Sequence, residues 1–582
     1  RVSLAWSPGF DEGVGRALFG GPGKSSVRAG FGLFYGRMGG AIAVATDQFG
    51  SPGLSNALIN AASQFSLATA PRFSGACDAS GCAGLPPLSS FLAITSAATF
   101  PFSPAQNASG VGFIGDNDLQ TPYTMNMTFS IQRELPGQIT LDLGYVGVLG
   151  RKLLSNIDFG MIGGNLTDSA SGQTLWGGYQ NIVAQLGPDI FNPQADIFGA
   201  VFSADPALLA GIAEVPFFTN MMPNLPALAA AEAGFDFFGW CDTSGGGVDP
   251  ACVNFIAGMT PTQLMYLYAA TFAPTWVDPL FFDFDVFPLV SPWRADLDPQ
   301  GDGFVMVQPQ FQALSGFTNW GSSAYHSFQL GVRRNVGRVL FGANYVLAKS
   351  LDNGSAPENA TLFGENDQFS GFIPNAFDSK GNRARSDFDL RHNFNANWVI
   401  QLPFGQGQPV ASDATGALEH LVGGWDVLGA WRWRSGFPLS VNADFAFATS
   451  FFIAPPVDLA GNGSTNINSS GTGGPNIFQD PDAARLAFRH TPPGGNGSRN
   501  SITGPAFFQV DFGIGKNFRL GERARVRFRW EMFNVFNNVN FNDGQAIAGV
   551  PNIETAFDTS PFGRIFSTHP PREMQFTLRF DF

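Results

Sequence analysis

Along Arg572–Phe582 the chain alternates strictly. Met574, Phe576, Leu578, Phe580 and Phe582 are apolar, and Glu573, Gln575, Thr577, Arg579 and Asp581 between them are polar or charged. Successive side chains on a strand point to opposite faces, so this stretch predicts a strand with one greasy and one wet face. The same period recurs upstream. Met125, Met127, Phe129 and Ile131 alternate with Asn126, Thr128, Ser130 and Gln132. Val526, Phe528, Trp530 and Met532 alternate with Arg525, Arg527, Arg529 and Glu531. Eleven strands are predicted in this way, near 2–8, 27–35, 121–133, 139–146, 325–334, 339–350, 387–402, 425–435, 507–518, 524–536 and 572–582.

The connections alternate too. Segments 9–26, 134–138, 335–338, 403–424 and 519–523 are short, whereas 36–120, 147–324, 351–386, 436–506 and 537–571 are long. Soluble antiparallel sheets seldom carry a long connection at every second turn. Outer-membrane barrels do, with short turns in the periplasm and long loops outside. The expectation is therefore an all-β chain: a transmembrane antiparallel β-barrel with extracellular loops at 36–120, 147–324 and 436–506. A complete barrel of this kind has an even strand number and both termini on the short-turn side. Eleven strands, the first starting at Arg1 without a signal peptide, fit the C-terminal part of a larger barrel over 1–582.

Composition agrees. Only 13% of the 582 residues are charged, about half the soluble average, while 14% are aromatic and 71 are Gly. No uncharged apolar run reaches the length of a membrane helix. The formal charge of −14 is concentrated: between Leu153 and Trp293 there are thirteen acids and no Lys or Arg. Such a segment repels nucleic acid, which removes that class of partner.

Candidate chemistry is sparse. Gly20–Ser25 resembles a phosphate loop only superficially, since the spacing needs Gly where Leu18 stands. The histidines His326, His392, His420, His490 and His569 are scattered, and no nucleophile–base pair or carboxylate pair is evident, so no catalytic residue and no enzyme activity are expected. Cys77/Cys82 and Cys241/Cys252 lack the further ligands of a zinc site and read as local disulfides, with free thiols as the alternative. Asp296, Asp298 and Asp302 crowd a Gly turn and form a weak Ca²⁺ candidate, but Val307 stands where a twelve-residue Ca²⁺ loop needs Glu. A simple turn is the alternative. Apart from that ion no cofactor is expected.

Segment 147–324 is the most individual. Asp205-Pro206 and Thr260-Pro261 predict helix starts, with helices over 207–214 and 263–270. Trp240, Trp276, Phe281, Phe282, Asp283 and Asp285 form a candidate ligand surface, since sugars stack on aromatic rings and hydrogen-bond carboxylates. A packed lid with solvated charge is the plainer reading.

Several stretches resemble a known family. They are VRAGFGLFYGR (27–37), YVLAKSLDNGS (345–355), RSDFDLRHNFNANWVIQLPFG (385–405), GGWDVLGAWRWRSGFPLSV (423–441), FRWEMFNVFNNVNF (528–541) and the Phe-terminated last strand. Together they resemble the C-terminal barrel half of TonB-dependent outer-membrane receptors of the Oar-like group. The resemblance covers strands and short turns and leaves out the long loops. It implies a barrel of about 22 strands, plugged by an N-terminal domain upstream of this chain. It also implies residence in the outer membrane of a Gram-negative type bacterium, contact with its lipid, and energised uptake of a bulky nutrient through TonB. An oligosaccharide, a peptide or a metal chelate would suit. Phe582 matches the terminal aromatic read by the barrel-assembly machinery. The alternative is a barrel-anchored adhesion protein without transport.

Overall fold

The computed structural model describes residues 1–36, 111–159, 167–187, 209, 211–232, 249–271, 313–355, 373–442, 456–469, 473–489, 491, 494–520, 524–542, 553–556 and 562–582. Eleven strands form one continuous meander. They are β1 (Val2–Trp6), β2 (Ser25–Tyr35), β3 (Tyr123–Leu135), β4 (Ile139–Asp158), β5 (Ala313–Val336), β6 (Val339–Asp352), β7 (His392–Gln401), β8 (Trp425–Arg434), β9 (Phe507–Leu520), β10 (Ala524–Phe533) and β11 (Glu573–Asp581). Each pairs antiparallel with its sequence neighbours, so spatial order equals chain order, with β1 and β11 at the two ends of the path.

Register carries one face across the whole sheet. Leu4, Ala29, Phe129, Tyr145, Phe328 and Leu347 stand opposite one another from β1 to β6. Phe341, Trp398 and Gly429 continue this face in β6 to β8, and Ile514, Trp530 and Phe576 in β9 to β11. No described protein segment covers much of it: Phe576 is 65% exposed and Leu578 73%. A continuous uncovered apolar face is what a sheet in lipid presents, and the opposite of a soluble core. Among the described residues, no helix is long and apolar enough to cross a membrane.

Short turns follow from local chemistry. The β3–β4 connection puts Gly137 (φ 79°) and Gln138 (φ 60°) in the left-handed region that a tight hairpin needs. One short connection is less bare than expected: 7–24 contains helix α1 (Gly13–Phe19). Trp6, Phe10 and Phe19 cluster beside it, with centroids 5.9–6.2 Å apart.

Strand ends depart from expectation in both directions. β4 and β5 run well past 146 and begin well before 325, and their ladder continues to Asp158 opposite Ser315. Alternation stops near Val146 because the strands leave their apolar surroundings, while backbone pairing needs no apolar side chain. A short strand, Val111–Gly115, pairs parallel to the start of β5. Conversely, β7 starts only at His392, because 386–389 closes a turn in which Asp389 N–H donates to Ser386 C=O. β10 stops at Phe533, since Asn534 turns to φ 52°.

Two packed bodies sit at the long-connection end. The first is helical: α2 (Leu175–Leu186), α3 (Pro216–Met221), α4 (Leu225–Glu232), α5 (Pro250–Ala257) and α6 (Pro261–Thr271). Tyr179, Phe217 and Phe218 are fully buried at its centre, in edge-to-face contact at 5.4–5.5 Å. The helix expected over 263–270 is present as α6, and Thr260 with Gln263 forms a reciprocal capping box. Of the helix expected over 207–214, Leu209 is helical, whereas 211–214 is not. The Gln185 and Thr262 side chains accept from the backbone N–H groups of Ala213 and Val215, and the helix begins only at Pro216. The second body is built from both later long connections. Val441, Val457, Ile477, Phe478, Phe488, Ile553, Phe562 and Ile565 pack into one core.

Candidate functional site: the polar face and the long-connection end

The face opposite the apolar one is mostly polar, interrupted by Leu340 of β6 and Val399 of β7. β3 contributes Asn126, Thr128, Ser130 and Gln132, β7 contributes Asn393, Asn395 and Asn397, and β10 contributes Arg525, Arg527, Arg529 and Glu531. Ion pairs cross between strands: Arg432–Asp511 at 2.6 Å, Arg527–Asp581 at 2.9 Å and Arg333–Asp142 at 3.9 Å. Their arginines are about half exposed, so each pair contributes little to stability. Together they keep the face wet and electrically mixed.

Where the strands leave the apolar belt, aromatic side chains mark its edge. Tyr145 Oη lies 2.7 Å from His326 Nδ1, and Tyr345 Oη lies 2.7 Å from His392 Nδ1. The His392 ring stacks on Trp433 at 5.9 Å. Both histidines serve structure at this rim.

Above the rim, a buried ionic clamp ties three segments together. Arg499, 4% exposed in its side chain, pairs with Asp352 and lies 3.4 Å from Asp387. The Arg499 guanidinium also donates to Asp352 C=O at 2.9 Å, and Ser355 Oγ donates to Asp352 Oδ2 at 2.7 Å. Asn500 Nδ2 reaches Asp387 Oδ1 at 2.8 Å, and Arg385 donates to the carbonyls of Asn500 and Ile502. Ser350 N–H donates to Asp389 Oδ1 at 2.6 Å. The end of β6, the 384–389 turn and the 499–503 segment therefore move as one unit.

The helical body carries its own anchor. Asp168 is buried. Burial alone would raise its pKa, but donors outweigh it and hold the carboxyl at about 2: the Ser171 hydroxyl, the Asn220 amide and the N–H groups of Ala170 and Ser171. Glu214 is likewise drawn below the usual carboxylate range, its burial opposed by hydrogen bonds from Thr260, Thr262 and Thr219. Trp176 of α2 packs over Gly494, where a Cβ would stand 2.8 Å from the indole, so this body rests on the 494–503 segment.

The residues singled out from sequence fare unevenly. Phe582 is 96% exposed at the end of β11, on the apolar side. Cys252, on α5, is disulfide-bonded; Cys77, Cys82 and Cys241 lie outside the described residues. So do Trp240, Trp276, Phe281, Phe282, Asp283, Asp285, Asp296, Asp298 and Asp302. No cluster of three metal-ligating side chains occurs among the described residues. Sequence reasoning missed Arg499, which sits in a Gly/Asn-rich run with no motif, and it gave no role to Asp352 or Asp387. Their only signal was membership in the stretches YVLAKSLDNGS and RSDFDLRHNF.

Comparison with known proteins places these observations. Residues 1–184 and 295–575 match the family described as outer membrane beta barrel domain. No curated protein matches the chain. Among solved structures, the outer membrane transporter YddB from Escherichia coli aligns at 9% identity and TM-score 0.32, over 96% of this chain and 38% of that one. The ferripyoverdine receptor of Pseudomonas aeruginosa aligns at 8% and 0.28, over 96% and 31%. The ferric enterobactin receptor PfeA from the same organism aligns at 8% and 0.30, over 96% and 38%. The chain thus spans about a third of the length of these proteins.

Proposed function

The chain belongs to the outer membrane beta barrel domain family and resides in the outer membrane, and we propose that it forms the C-terminal part of the barrel of a TonB-dependent receptor of the Oar-like group. In that reading the polar face lines the path of a bulky polar solute, and the long connections at 36–120, 147–324 and 436–506 face outward and select it. The observation that carries the proposal is the apolar face that runs uncovered across all eleven strands, opposite a face that is mostly polar, with every folded long connection at one end. The six sequence stretches that resemble Oar-like receptors support the finer assignment.

The solute would be an oligosaccharide, a peptide or a metal chelate. Energy would come through TonB acting on an N-terminal plug, and assembly would use the terminal Phe582. The role is uptake without catalysis.

Deleting the gene and comparing growth on limiting pools of these three solute classes tests the assignment. A growth defect reproduced by deleting the TonB system supports it. Unchanged uptake together with altered surface adhesion would replace it with a barrel-anchored adhesin, a reading that the two packed bodies at the long-connection end also allow.

A further inference from the structure

The extension of β4 and β5 beyond the apolar belt holds a cavity of about 660 Å³ lined by three cations, Lys152, Lys380 and Arg383, with Trp320, Ser379 and Asn353. Among the described residues no carboxylate lines it. In a chain with net charge −14 this local inversion of sign calls for a cause. Like charges brought together repel, and the arrangement is retained at a cost unless an anion occupies it.

The backbone is arranged to present these cations. Lys152 adopts φ 51°, uncommon for a residue with a Cβ, inside a β-bulge between Gly150 and Leu153. Bulges re-aim side chains and concentrate near functional sites. The opposing position is Gly321, where a Cβ would stand 2.6 Å from Leu153 C=O, so only glycine accommodates the bulge. Asn319 Nδ2 donates to Lys152 C=O at 2.8 Å and to Gln120 C=O at 2.9 Å, and Lys152 Nζ donates to Gln120 Oε1. Asn353 ties the far wall, donating to Trp320 C=O at 2.9 Å and accepting from Ser322 N–H at 2.7 Å. Lys380 and Arg383 are exposed, and no hydrogen bond or ion pair occupies their side chains among the described residues.

Height places the cavity just outside the hydrocarbon. Ten residue steps from Val336 to His326, at about 3.3 Å each and a tilt near 40°, rise about 25 Å, the full belt of such a barrel. Ser322, another cavity residue, stands in the same alternation as Ala324, His326 and Phe328 and lies about 10 Å higher.

We propose that this cavity binds a phosphate-bearing ligand, with Lys152, Lys380 and Arg383 meeting the phosphate oxygens and the Ser379 hydroxyl completing the shell. A phosphate monoester carries close to two charges and several acceptor oxygens, which matches a multi-cation site better than a single carboxylate does. The source is either a phosphorylated lipid headgroup of the outer leaflet or a free phosphate compound. The inference does not rest on the transport reading, because the cavity lies in the strand extension rather than on the polar face.

The test uses the full-length protein in detergent, wild type against Lys380→Gln/Arg383→Gln, with Lys380→Arg as the charge-preserving control. Two probes are titrated: mixed micelles containing a bisphosphorylated glucosamine lipid, and inorganic pyrophosphate. Wild-type binding that weakens at least tenfold in the double variant and survives in Lys380→Arg supports the site. Binding of the lipid probe alone identifies the headgroup as its source, and binding of pyrophosphate identifies a free ligand. Heat-modifiable gel mobility confirms that the double variant is folded. Binding of neither probe, or equal binding by the folded double variant, overturns the proposal.

Discussion

The face assignment makes its sharpest prediction at two adjacent residues, Phe576 and Thr577. Phe576 lies on the apolar face, 65% exposed, its ring stacked on Trp530 at 5.8 Å and 10°. Six residue steps separate it from Phe582. At about 3.3 Å per step and a tilt near 40°, they place it roughly 15 Å above the short-turn end, near the middle of the belt. A Phe side chain offers on the order of 200 Å². The two thirds facing lipid correspond to about 3 kcal/mol at roughly 25 cal/mol/Å². A carboxylate at that depth adds a further cost, smaller than the about 2–4 kcal/mol of a Lys or Arg. Phe576→Asp should therefore destabilise the sheet in lipid by roughly 4–6 kcal/mol.

Thr577 stands opposite Arg529 on the polar face, with Arg579 two residues along. A carboxylate there meets water and cations, so Thr577→Asp should change stability by no more than about 1 kcal/mol. Both variants are folded from urea into lipid vesicles, and the folded fraction and unfolding midpoint are read by heat-modifiable mobility. The expected result is a large loss for Phe576→Asp and a curve overlapping wild type for Thr577→Asp. Equal losses, or the larger loss at Thr577, would refute the assignment of faces.

Three further outcomes are expected. Arg499→Ala leaves buried Asp352 unpaired and should loosen the 499–503 segment by about 3–5 kcal/mol; faster limited proteolysis there checks it, and adding Asp352→Asn should restore part of the loss. Asp168 has a folded-state pKa below its ordinary value, so the stability it contributes is complete above the ordinary value and is lost as pH falls from about 4 to about 2. Hydrogen exchange at the amides of Ala170 and Ser171 should accelerate in that window, and Asp168→Asn should flatten it. Thr260→Ala removes half of the α6 capping box and should cost about 1 kcal/mol, read as faster exchange at Gln263 N–H without change in β1–β11.

How much of this was legible depends on which force places each residue. Strands inside the belt were readable because every second residue must suit lipid, as in Met125–Ile131 and Met574–Phe582. The extension of β4 and β5 was not, because Gly147 and Gly150 satisfy the ladder without a side chain and Arg151 and Lys152 bulge out of it, so no apolar alternation marks it. The α6 start was legible in Thr260-Pro261, since a capping box is local. The neighbouring run 207–214 carried a similar sign at Asp205-Pro206. Leu209 there is helical, but 211–214 is not, because the backbone donors at Ala213 and, just after, Val215 are taken by Gln185 and Thr262, distant side chains that no local pattern announces. Arg499 was invisible for the same reason, as its partners Asp352 and Asp387 lie more than a hundred residues away.

The clamp also changes the meaning of the sequence stretches that resemble the receptor family. YVLAKSLDNGS supplies Ser350, Asp352, Asn353 and Ser355, and RSDFDLRHNF supplies Arg385, Ser386, Asp387 and Asp389. Read alone, paired Asp residues beside Asn and Ser suggest a ligand site. In the fold their acceptors are taken by Arg499, Asn500, Ser355 and Ser350 N–H, partners that belong to the same clamp. A carboxylate occupied in this way has little capacity left for a solute, and taking away its buried partner would cost about 3–5 kcal/mol. These motifs therefore hold the long connections over the rim of the sheet. In the proposed uptake role, discrimination among solutes would then fall to the parts that the resemblance leaves out, the long connections themselves, where the acidic excess and the packed helical body lie.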